Sequence, residues 1–434
     1  MRILIEPSDY PELFNLGDIA MQETAIRRVS TLFPAASIQV FRDSPDSFNQ
    51  LSPNVEGISS SGRNAWMEGV LPDRRLLRPL TLWERRTRAR NVSTSTALLT
   101  ALWKLRSRSL AASLNNFIDT TAATDILVVC GVGGIADEFE KYALDLLDTM
   151  DLVMRNERSI VAMFGQGFGP IDNRSPVFLR ASEVLPRVDL IALREARASI
   201  PLLERLGVNR AQMSVTGDDA LEIAARNRRS EIGNSVGINL RLASYSGLTE
   251  IDARHLRQPV QQIAAAKSTF LQSLPSSMYR EDSDIASIRA VTEGFGMVRS
   301  EEVTDPSSLV RLVQRCRIAI VGSYHAGVYA LAQGVPIVGL YKNAYYRDKF
   351  LGLAELYGAG VFPVDIGSDS WHLGLTRQAN TAWDAAPSIR NSILESVDRQ
   401  IGLGRSAYAR LGQISQRKLG ETMVTRDAEF GERV

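Results

Sequence analysis

The sequence is poor in the residues that build metal centres and disulfide frameworks. Its 434 residues include three histidines and two cysteines, and these show no spacing typical of a zinc site. Cys130 and Cys316 both lie in or beside apolar runs, where a cysteine behaves as a small buried hydrophobe. These scarcities argue against a disulfide-stabilised scaffold and favour a reducing compartment.

Long apolar runs and an excess of one charge are absent as well. The 50 basic and 49 acidic residues give a net charge of +1, so no overall field favours nucleic acid or a membrane. No run approaches the ~20 apolar residues that span a bilayer. The first residues, MRILIEPSDYPE, indicate a strand, because a signal peptide needs a longer apolar core. We therefore expect a cytoplasmic protein that does not bind nucleic acid.

The sequence does contain short strand-like runs that alternate with helical runs, which predicts an α/β protein with parallel sheets. The strand-like runs are RILIE, SIQVF, DILVVC, SIVAMF, VDLIAL, MSVTG, SVGINLR, TFLQSLP, GMVRSEE, RIAIVGS, PIVGLY and GVFPVDI. We predict two Rossmann-like domains that face a cleft. The predicted boundaries are residues 1–225 for the N-terminal domain, 226–235 for a linker, 236–390 for the C-terminal domain and 391–434 for C-terminal helices.

The residues that follow each strand are the first candidates for a site, because ligands bind beyond the carboxyl ends of parallel strands. Asp18 and Asp218 fall at predicted helix starts, where a carboxylate can cap free amides. The turn GVGG, with Gly133 and Gly134, would let the backbone approach an anionic ligand. Arg241 follows a strand and is suited to a phosphate or a carboxylate.

His325 is the strongest single candidate. It lies in CRIAIVGSYHAGVYALAQGVPIVGLY, between a strand-like run and a helical run of small residues. That position predicts a histidine that faces the cleft. His255 and His372 lie in polar stretches, and we expect both on the surface.

The motifs NLGD, GVGG, GQGFGP, LREARASIPLLERLGV, VTGDDALEI and GSYHAGVYALAQGVPIVGLY follow one another along the chain. Their order resembles that of the polysaccharide pyruvyl transferase family, from about Asn15 to Lys349. The matching positions are Asn15, Gly17, Asp18, Gly165, Gln166, Gly169, Pro170, Arg194, Glu195, Thr216, Gly217, Asp218 and His325, with Ser199 displaced by one residue. The resemblance implies the two-domain fold called GT-B.

The resemblance also implies transfer of pyruvate from phosphoenolpyruvate to two hydroxyls of a sugar, which forms a cyclic ketal and releases phosphate. His325 suits the general acid, and Asp18 or Asp218 suits the base that accepts a hydroxyl proton. The predicted substrate-binding residues are Asn15, Gly17, Gly133, Gly134, Gln166, Arg194, Arg241, Ser323, Tyr324 and Lys349. Phosphoenolpyruvate would be a co-substrate, with no metal or other cofactor. The acceptor would belong to a cell-surface polysaccharide or its lipid-linked precursor.

Ser323 departs from the family pattern, which has an arginine two residues before the histidine. That arginine is expected to hold an anionic part of the donor. Its loss leaves two alternatives open: a glycosyltransferase that uses a nucleotide sugar on the same fold, and a catalytically silent relative that binds glycans. Arg347 or Lys349 could replace the missing charge. A homo-oligomer is also left open.

The segment over residues 73–108 carries the one marked charge asymmetry. Its cationic side chains run from Arg74 to Arg108, against the two acidic residues Asp73 and Glu84, with tryptophans and leucines between them. We predict a basic helical insertion that could contact the inner face of an anionic membrane, bind an acidic glycan or form a solvated face. The preceding EGISSSGRN predicts an inserted, mobile loop.

Overall fold

A computed structural model describes residues 1–7, 15–41, 55–71, 77–131, 133–278 and 283–420. The chain forms two parallel sheets. The strands of the first sheet are β1 (Arg2–Glu6), β2 (Ser37–Phe41), β3 (Val55–Ile58), β4 (Ile126–Val129), β5 (Ile160–Gln166), β6 (Leu190–Leu193) and β7 (Met213–Val215). They are arranged in the order β3-β2-β1-β4-β5-β6-β7.

The second sheet contains the remaining strands of the described residues. These are β8 (Ser235–Asn239), β9 (Leu271–Ser273), β10 (Val298–Arg299), β11 (Cys316–Val321), β12 (Ile337–Tyr341) and β13 (Val361–Asp365), in the order β10-β9-β8-β11-β12-β13. The central strands are buried on both faces, which explains why their sequences are continuous apolar runs.

Helices cover both sheets. They are α1 (Leu16–Leu32), α2 (Ser61–Glu68), α3 (Arg78–Arg90), α4 (Val92–Arg106), α5 (Arg108–Ala123), α6 (Glu140–Val153), α7 (Pro176–Val184), α8 (Ser199–Arg205), α9 (Leu221–Ala224), α10 (Glu250–Ala266), α11 (Asp284–Thr292), α12 (Pro306–Val313), α13 (Tyr324–Ala332), α14 (Ala344–Tyr357) and α15 (Trp371–Leu419). In the described part of the chain, no helix is both long and apolar enough to cross a membrane.

Each strand-like run of the sequence forms a strand, so that prediction is confirmed. The interpretation of EGISSSGRN as a mobile loop is wrong, because its first residues belong to β3 and its last ones to α2. The short strand VEGI alternates poorly between apolar and polar residues, and its pairing with β2 in the sheet decides its conformation.

The predicted boundary at residue 390 falls inside a helix. α15 is one continuous helix of 49 residues that begins at Trp371. It packs against β11, β12 and β13 of the second sheet and then against β5 and β6 of the first, where Tyr408 stacks on Phe164 with ring centroids 3.8 Å apart. The part of the predicted C-terminal helices at residues 421–434 lies outside the described residues. A single helix therefore ties the two domains together.

The start of α1 provides a second connection between the domains. Leu16 and Met21 of this helix belong to an apolar cluster that is built mostly from the second domain, including Tyr329 of α13. The backbone amide of Leu16 donates to the carbonyl of Ser276 at 3.0 Å. The Tyr329 hydroxyl donates to the carbonyl of Leu16, also at 3.0 Å. These contacts hold the first turn of α1 against α13.

Candidate functional site

His325 is buried at the junction of the two domains. β11 ends at Val321, and α13 begins at Tyr324 with Ser323 as its N-cap residue. This places His325 in the first turn of the helix, beyond the carboxyl end of a central strand, with 7% of its surface exposed. The prediction that it faces the cleft rather than the core of its own domain agrees with this position.

The imidazole of His325 packs directly on the first turn of α1. Asn15 caps this helix by accepting a hydrogen bond from the Gly17 amide at 3.1 Å, and its Oδ1 lies 3.2 Å from His325 Nδ1. A Cβ atom at Gly17 would lie 2.0 Å from His325 Cγ, so only glycine leaves room for the ring. Asn15 and Gly17 therefore fix the position of His325 from the other domain.

Asp218 approaches the other ring nitrogen of His325. It follows β7 in the loop that begins with Thr216 and Gly217, and Gly217 has a φ of +80° that favours glycine. One carboxylate oxygen of Asp218 accepts from the Ala220 amide at 2.8 Å. The other lies 3.6 Å from His325 Nε2 and 3.9 Å from Arg194 Nη1.

Several of these buried atoms make no hydrogen bond within the described residues. They are Asp218 Oδ2, His325 Nε2, Arg194 Nε and the Tyr324 hydroxyl. Leaving a buried polar atom unpaired costs about 1–3 kcal/mol, and such atoms cluster where a structure serves function rather than stability. The cluster therefore has the character of a binding or catalytic site.

Two cations from opposite domains meet beside this cluster. Arg194 follows β6, and its guanidinium carbon lies 4.4 Å from the centroid of the Tyr324 ring. Lys349 of α14 has its Nζ 3.7 Å from the centroid of Tyr345, whose hydroxyl donates to the Gly133 carbonyl at 3.2 Å. Aromatic faces thus hold both cations in place of carboxylates.

A cavity of about 340 Å³ opens onto these two cations. The residues that line it on the inner side include Gly133, Gly167, Arg194, Tyr345 and Lys349. A Cβ atom at Gly133 would lie 2.4 Å from Arg194 Nη2, and one at Gly167 would lie 2.6 Å from its Nε. The glycines of two strand exits therefore make room for the Arg194 side chain. His325 and Asp218 lie behind Arg194 and do not line the cavity itself.

The buried charges shift one another's protonation. Burial lowers the pKa of His325, and Arg194 and Lys349 act in the same direction against the opposing effect of Asp218. Burial, followed by the charge of Arg194, lowers the pKa of Lys349 well below its ordinary value. For Asp218 burial acts to raise the pKa, but His325 and Arg194 outweigh it and lower the pKa overall. The site is thus rich in positive potential and favours a bound anion.

Asp18 lies on the same side of the cleft. It occupies the first turn of α1 and is buried, and its charge acts to raise the pKa of Lys349. The helix is capped by Asn15 rather than by Asp18, so the expectation that Asp18 itself caps the helix is wrong. Its charge instead acts on the cationic cluster through Lys349.

Some predicted residues have structural contacts instead. Gln166 donates to the carbonyls of Val129 and Cys130, at 3.3 and 2.7 Å, and so joins β5 to β4. Gly134 is buried. The Ser323 hydroxyl lies 3.1 Å from that of Ser276.

Arg241 also differs from the expectation of a free anion anchor. Its Nε donates to Asp284 at 2.6 Å, and both side chains are almost completely buried. The same guanidinium contacts the hydroxyls of Ser276 and Tyr245, at 3.3 and 3.1 Å. Its charge is therefore already neutralised.

The two candidates for the charge lost at Ser323 lie in different surroundings. Arg347 is exposed and pairs with its neighbour Asp348 at 3.0 Å. Lys349 lies in the aromatic cluster near Arg194. Lys349 thus has the position for the role.

Two residues of the site were missed by the sequence analysis. Tyr345 supports Lys349, and it lies four residues before Lys349 in α14, a spacing that could have suggested this contact. Asp284 accepts hydrogen bonds from Asn239, Arg241, Ser276 and Ser277. No signal in the sequence marked it, because it is one acidic residue among several near a helix start.

Within the described residues, no group of three or more histidine, cysteine, aspartate or glutamate side chains could hold a metal ion.

The fold and the site define a two-domain α/β protein of the GT-B type with a cationic site between its domains. One solved structure with this fold is UDP-N-acetylglucosamine 2-epimerase from Neisseria meningitidis, bound to UDP-N-acetylglucosamine. The two sequences are 11% identical, the TM-score is 0.55, and the match covers 96% of this chain and 100% of the other. A glycosyltransferase from Rickettsia africae gives 9% identity and a TM-score of 0.55, covering 97% and 99%. At these identities the likeness shows the fold alone, and it confirms the GT-B prediction.

The family follows from the sequence itself. The model of the polysaccharide pyruvyl transferase family matches residues 15–342, which is most of the chain. The protein therefore belongs to the polysaccharide pyruvyl transferase family, as the resemblance predicted. No curated protein matches it by sequence.

Proposed function

We propose that the protein transfers pyruvate from phosphoenolpyruvate to two hydroxyls of a sugar, forming a cyclic ketal and releasing phosphate. The observation that supports this most strongly is the position of the His325 side chain. It is held between Asn15 and Asp218 of the first domain, beside the cations Arg194 and Lys349, in a chain that belongs to the pyruvyl transferase family.

The donor carries a phosphate and a carboxylate, and both need cationic partners. Arg194 offers an unpaired Nε and a planar fork of donors that matches either group. Lys349 adds a second charge from the other domain. Together they supply the positive potential that Ser323 cannot, and the rings of Tyr324 and Tyr345 shield them from water.

The reaction needs one proton at the methylene carbon of phosphoenolpyruvate. His325 delivers it, so that the former enol carbon becomes cation-like and accepts the first sugar hydroxyl. That hydroxyl proton passes to a carboxylate. The bond to phosphate then breaks, and the second hydroxyl attacks the same carbon to close the ketal. Of the two hydroxyl protons, one restores His325 and the other leaves with phosphate.

Donor binding itself would prepare His325 for this step. In the unliganded site the lowered pKa of His325 leaves the ring neutral near pH 7. Two donor anions placed against Arg194 and Lys349 would cancel the repulsion that these cations exert and favour the imidazolium. The general acid would therefore form only when the donor is bound.

The two carboxylates then have different roles. Asp218 lies 3.6 Å from His325 Nε2, so it orients the ring and stabilises its charged form. Asp18 is a second carboxylate whose charge acts on Lys349, and we assign to it the transfer of the hydroxyl proton. We place the acceptor in a cell-surface polysaccharide or its lipid-linked precursor, which implies a cytoplasmic enzyme.

A nucleotide-sugar glycosyltransferase is the second candidate, because Ser323 departs from the family pattern and the fold is shared with proteins that bind nucleotide sugars. The two readings differ in their ligand. Thermal unfolding should be measured with phosphoenolpyruvate, phosphate, UDP and GDP in parallel, since a ligand at 100 times its Kd adds about 2.7 kcal/mol to stability.

A rise in the unfolding midpoint with phosphoenolpyruvate alone would support the proposal. A rise with UDP or GDP alone would replace it with the glycosyltransferase. No rise with any ligand would favour a silent, glycan-binding relative. The same ligands should be tested with His325→Gln and with His255→Gln. His255 is exposed and far from the motifs, so its variant controls for unspecific effects of a histidine substitution.

A further inference from the structure

The helices α3 and α4 expose an unusual set of large apolar side chains. Leu80 is 52% exposed, Trp83 65%, Leu98 56%, Leu102 37% and Leu105 85%. Five of the eleven exposed large hydrophobic residues in the described part of the chain thus lie on two consecutive helices. We call this set the α3–α4 surface.

The spacing of these residues places them on coherent helix faces. In α4, Leu98, Leu102 and Leu105 fall at positions i, i+4 and i+7, which share one side of a helix. In α3, Leu80 and Trp83 are three residues apart. A neighbouring side of α4 carries Leu99, which is buried in the core of the first domain. α4 therefore has an apolar stripe toward solvent in addition to the one that packs inward.

The contrast between two tryptophans shows that the exposure is specific. Trp103 is partly buried, and its indole nitrogen donates to the Ala65 carbonyl at 3.3 Å, so it serves the fold. Trp83 projects into solvent from the middle of α3. A large exposed aromatic residue beside exposed leucines is a feature of interaction surfaces.

Cations surround the apolar side chains. Arg86, Arg90, Lys104, Arg106 and Arg108 are all exposed, and none forms an ion pair with a carboxylate of the described residues.

Other arginines of α3 behave differently. Arg78 pairs with Glu140, Arg85 with Asp145 and Asp148, and Arg88 with Glu84. The helix thus separates arginines that stabilise the fold from arginines that are left free on the surface.

The α3–α4 surface begins close to the mouth of the cleft. Arg78, in the first turn of α3, pairs with Glu140 at the start of α6. The preceding residue, Phe139, packs against Tyr345 with ring centroids 6.3 Å apart. Tyr345 lines the cavity that holds Lys349.

We propose that the α3–α4 surface docks the protein on an anionic phospholipid bilayer. Leucines and a tryptophan would enter the boundary between headgroups and acyl chains, while the free cations bind anionic headgroups. A second copy of the chain fits poorly, because a symmetric contact would bring the same cations together. An acidic glycan or a nucleic acid would use the charge but leave the leucine stripe of α4 in water.

This docking does not depend on the reaction. If the proposed function holds, docking would also bring a lipid-linked acceptor close to the cleft. Only this consequence depends on the proposed function. The binding test below uses no substrate, so its result is separate from that of the ligand-binding test.

Flotation with vesicles of phosphatidylcholine, with and without phosphatidylglycerol, tests the proposal on the full chain. We expect binding to the anionic vesicles only, and its loss at high salt. Leu98→Gln with Leu105→Gln should weaken the partition about tenfold or more. Arg86→Gln with Arg90→Gln should weaken it roughly fivefold for each charge removed. All four positions are exposed, so folding should be unaffected.

Matched controls come from α15. One control double variant replaces two exposed leucines, Leu373→Gln with Leu403→Gln. The other replaces two exposed arginines, Arg377→Gln with Arg417→Gln. Both should bind vesicles like the wild type. Absence of vesicle binding by the wild type, or equal loss in the controls, would overturn the proposal. Retention on an acidic polysaccharide without vesicle binding would overturn it in favour of a glycan. An oligomer that dissociates in the leucine variant would identify a subunit interface instead.

Discussion

Arg194 and Arg241 are two buried arginines that follow strands at the same cleft, one in each domain. Arg241 lies 2.6 Å from Asp284 and is surrounded by hydroxyls. Arg194 comes no closer than 3.9 Å to Asp218 and stacks on Tyr324. Both are charged, but only Arg194 keeps an unpaired donor atom. Arg241 stabilises its domain, whereas Arg194 keeps its charge available to a ligand.

The first prediction concerns the loss of Arg194. Arg194→Met should lower the affinity for phosphoenolpyruvate about 100-fold, because it removes charge-assisted hydrogen bonds to the donor. Its unfolding midpoint without ligand should stay close to that of the wild type. Calorimetric titration measures the affinity, and an unchanged affinity would exclude Arg194 as the anchor.

Removal of Arg241 should have the opposite signature. Arg241→Met leaves the Asp284 carboxylate buried without its cation, which should lower the free energy of unfolding by about 3–5 kcal/mol. Denaturant titration gives this value. The double variant Arg241→Met with Asp284→Leu removes both charges and should recover most of the loss. A stable Arg241→Met with weakened donor binding would reverse the roles of the two arginines.

A third prediction tests the contact between the domains at His325. Gly17→Ala places a methyl group where the imidazole lies, so the ring must move. A displacement of about 1 Å can cost about 100-fold in rate, and we expect that loss in kcat with little change in KM. Gly402→Ala, where a Cβ meets no atom within 4 Å, is the control. Full activity in Gly17→Ala would contradict the geometry.

A fourth prediction concerns the pH dependence of stability and compares neighbouring carboxylates. Burial raises the pKa of Asp219 to about 7, whereas the pKa of Asp218 is lowered. The unfolded state loses the proton of Asp219 above about pH 3.8, whereas the folded state keeps it up to about pH 7. The stability that this proton contributes is therefore lost as the pH rises through about 7. Asp219→Asn should remove a slope of at most about 1.4 kcal/mol per pH unit.

The measurement is the free energy of unfolding of both proteins between about pH 4 and pH 8, where Asp219 titrates in the folded state. The difference between the two curves isolates Asp219 from other buried groups. Parallel curves would show that Asp219 does not bind a proton in the folded protein. Tyr408 of α15, which donates a hydrogen bond to Asp219 at 2.8 Å, is the same residue in the wild type and in Asp219→Asn.

The sequence predicted the strands well because parallel strands are buried on both faces and must be apolar. Three residues that it singled out in spaced motifs, Asn15, Asp218 and His325, lie together in the structure. It did not separate Arg194 from Arg241. Both are arginines after strands, and the difference depends on Asp284, a residue distant along the chain.

The continuity of α15 was likewise beyond a local reading of the sequence. Its length depends on successive contacts with two domains, and Pro387 within it would locally indicate a break. The strand β3 was missed for a related reason, since its pairing with β2 rather than its own composition decides its conformation. Tertiary contacts determine each of these features.

The most direct test of the account is proton uptake on donor binding. Phosphoenolpyruvate should be titrated by calorimetry at about pH 8, where its phosphate is fully ionised, in two buffers of different ionisation enthalpy. We expect the wild type to take up about one proton more on binding than His325→Gln, in which Lys349 but not residue 325 can gain a proton. Equal uptake in both proteins, or none in either, would contradict the claim that the bound donor makes His325 the general acid.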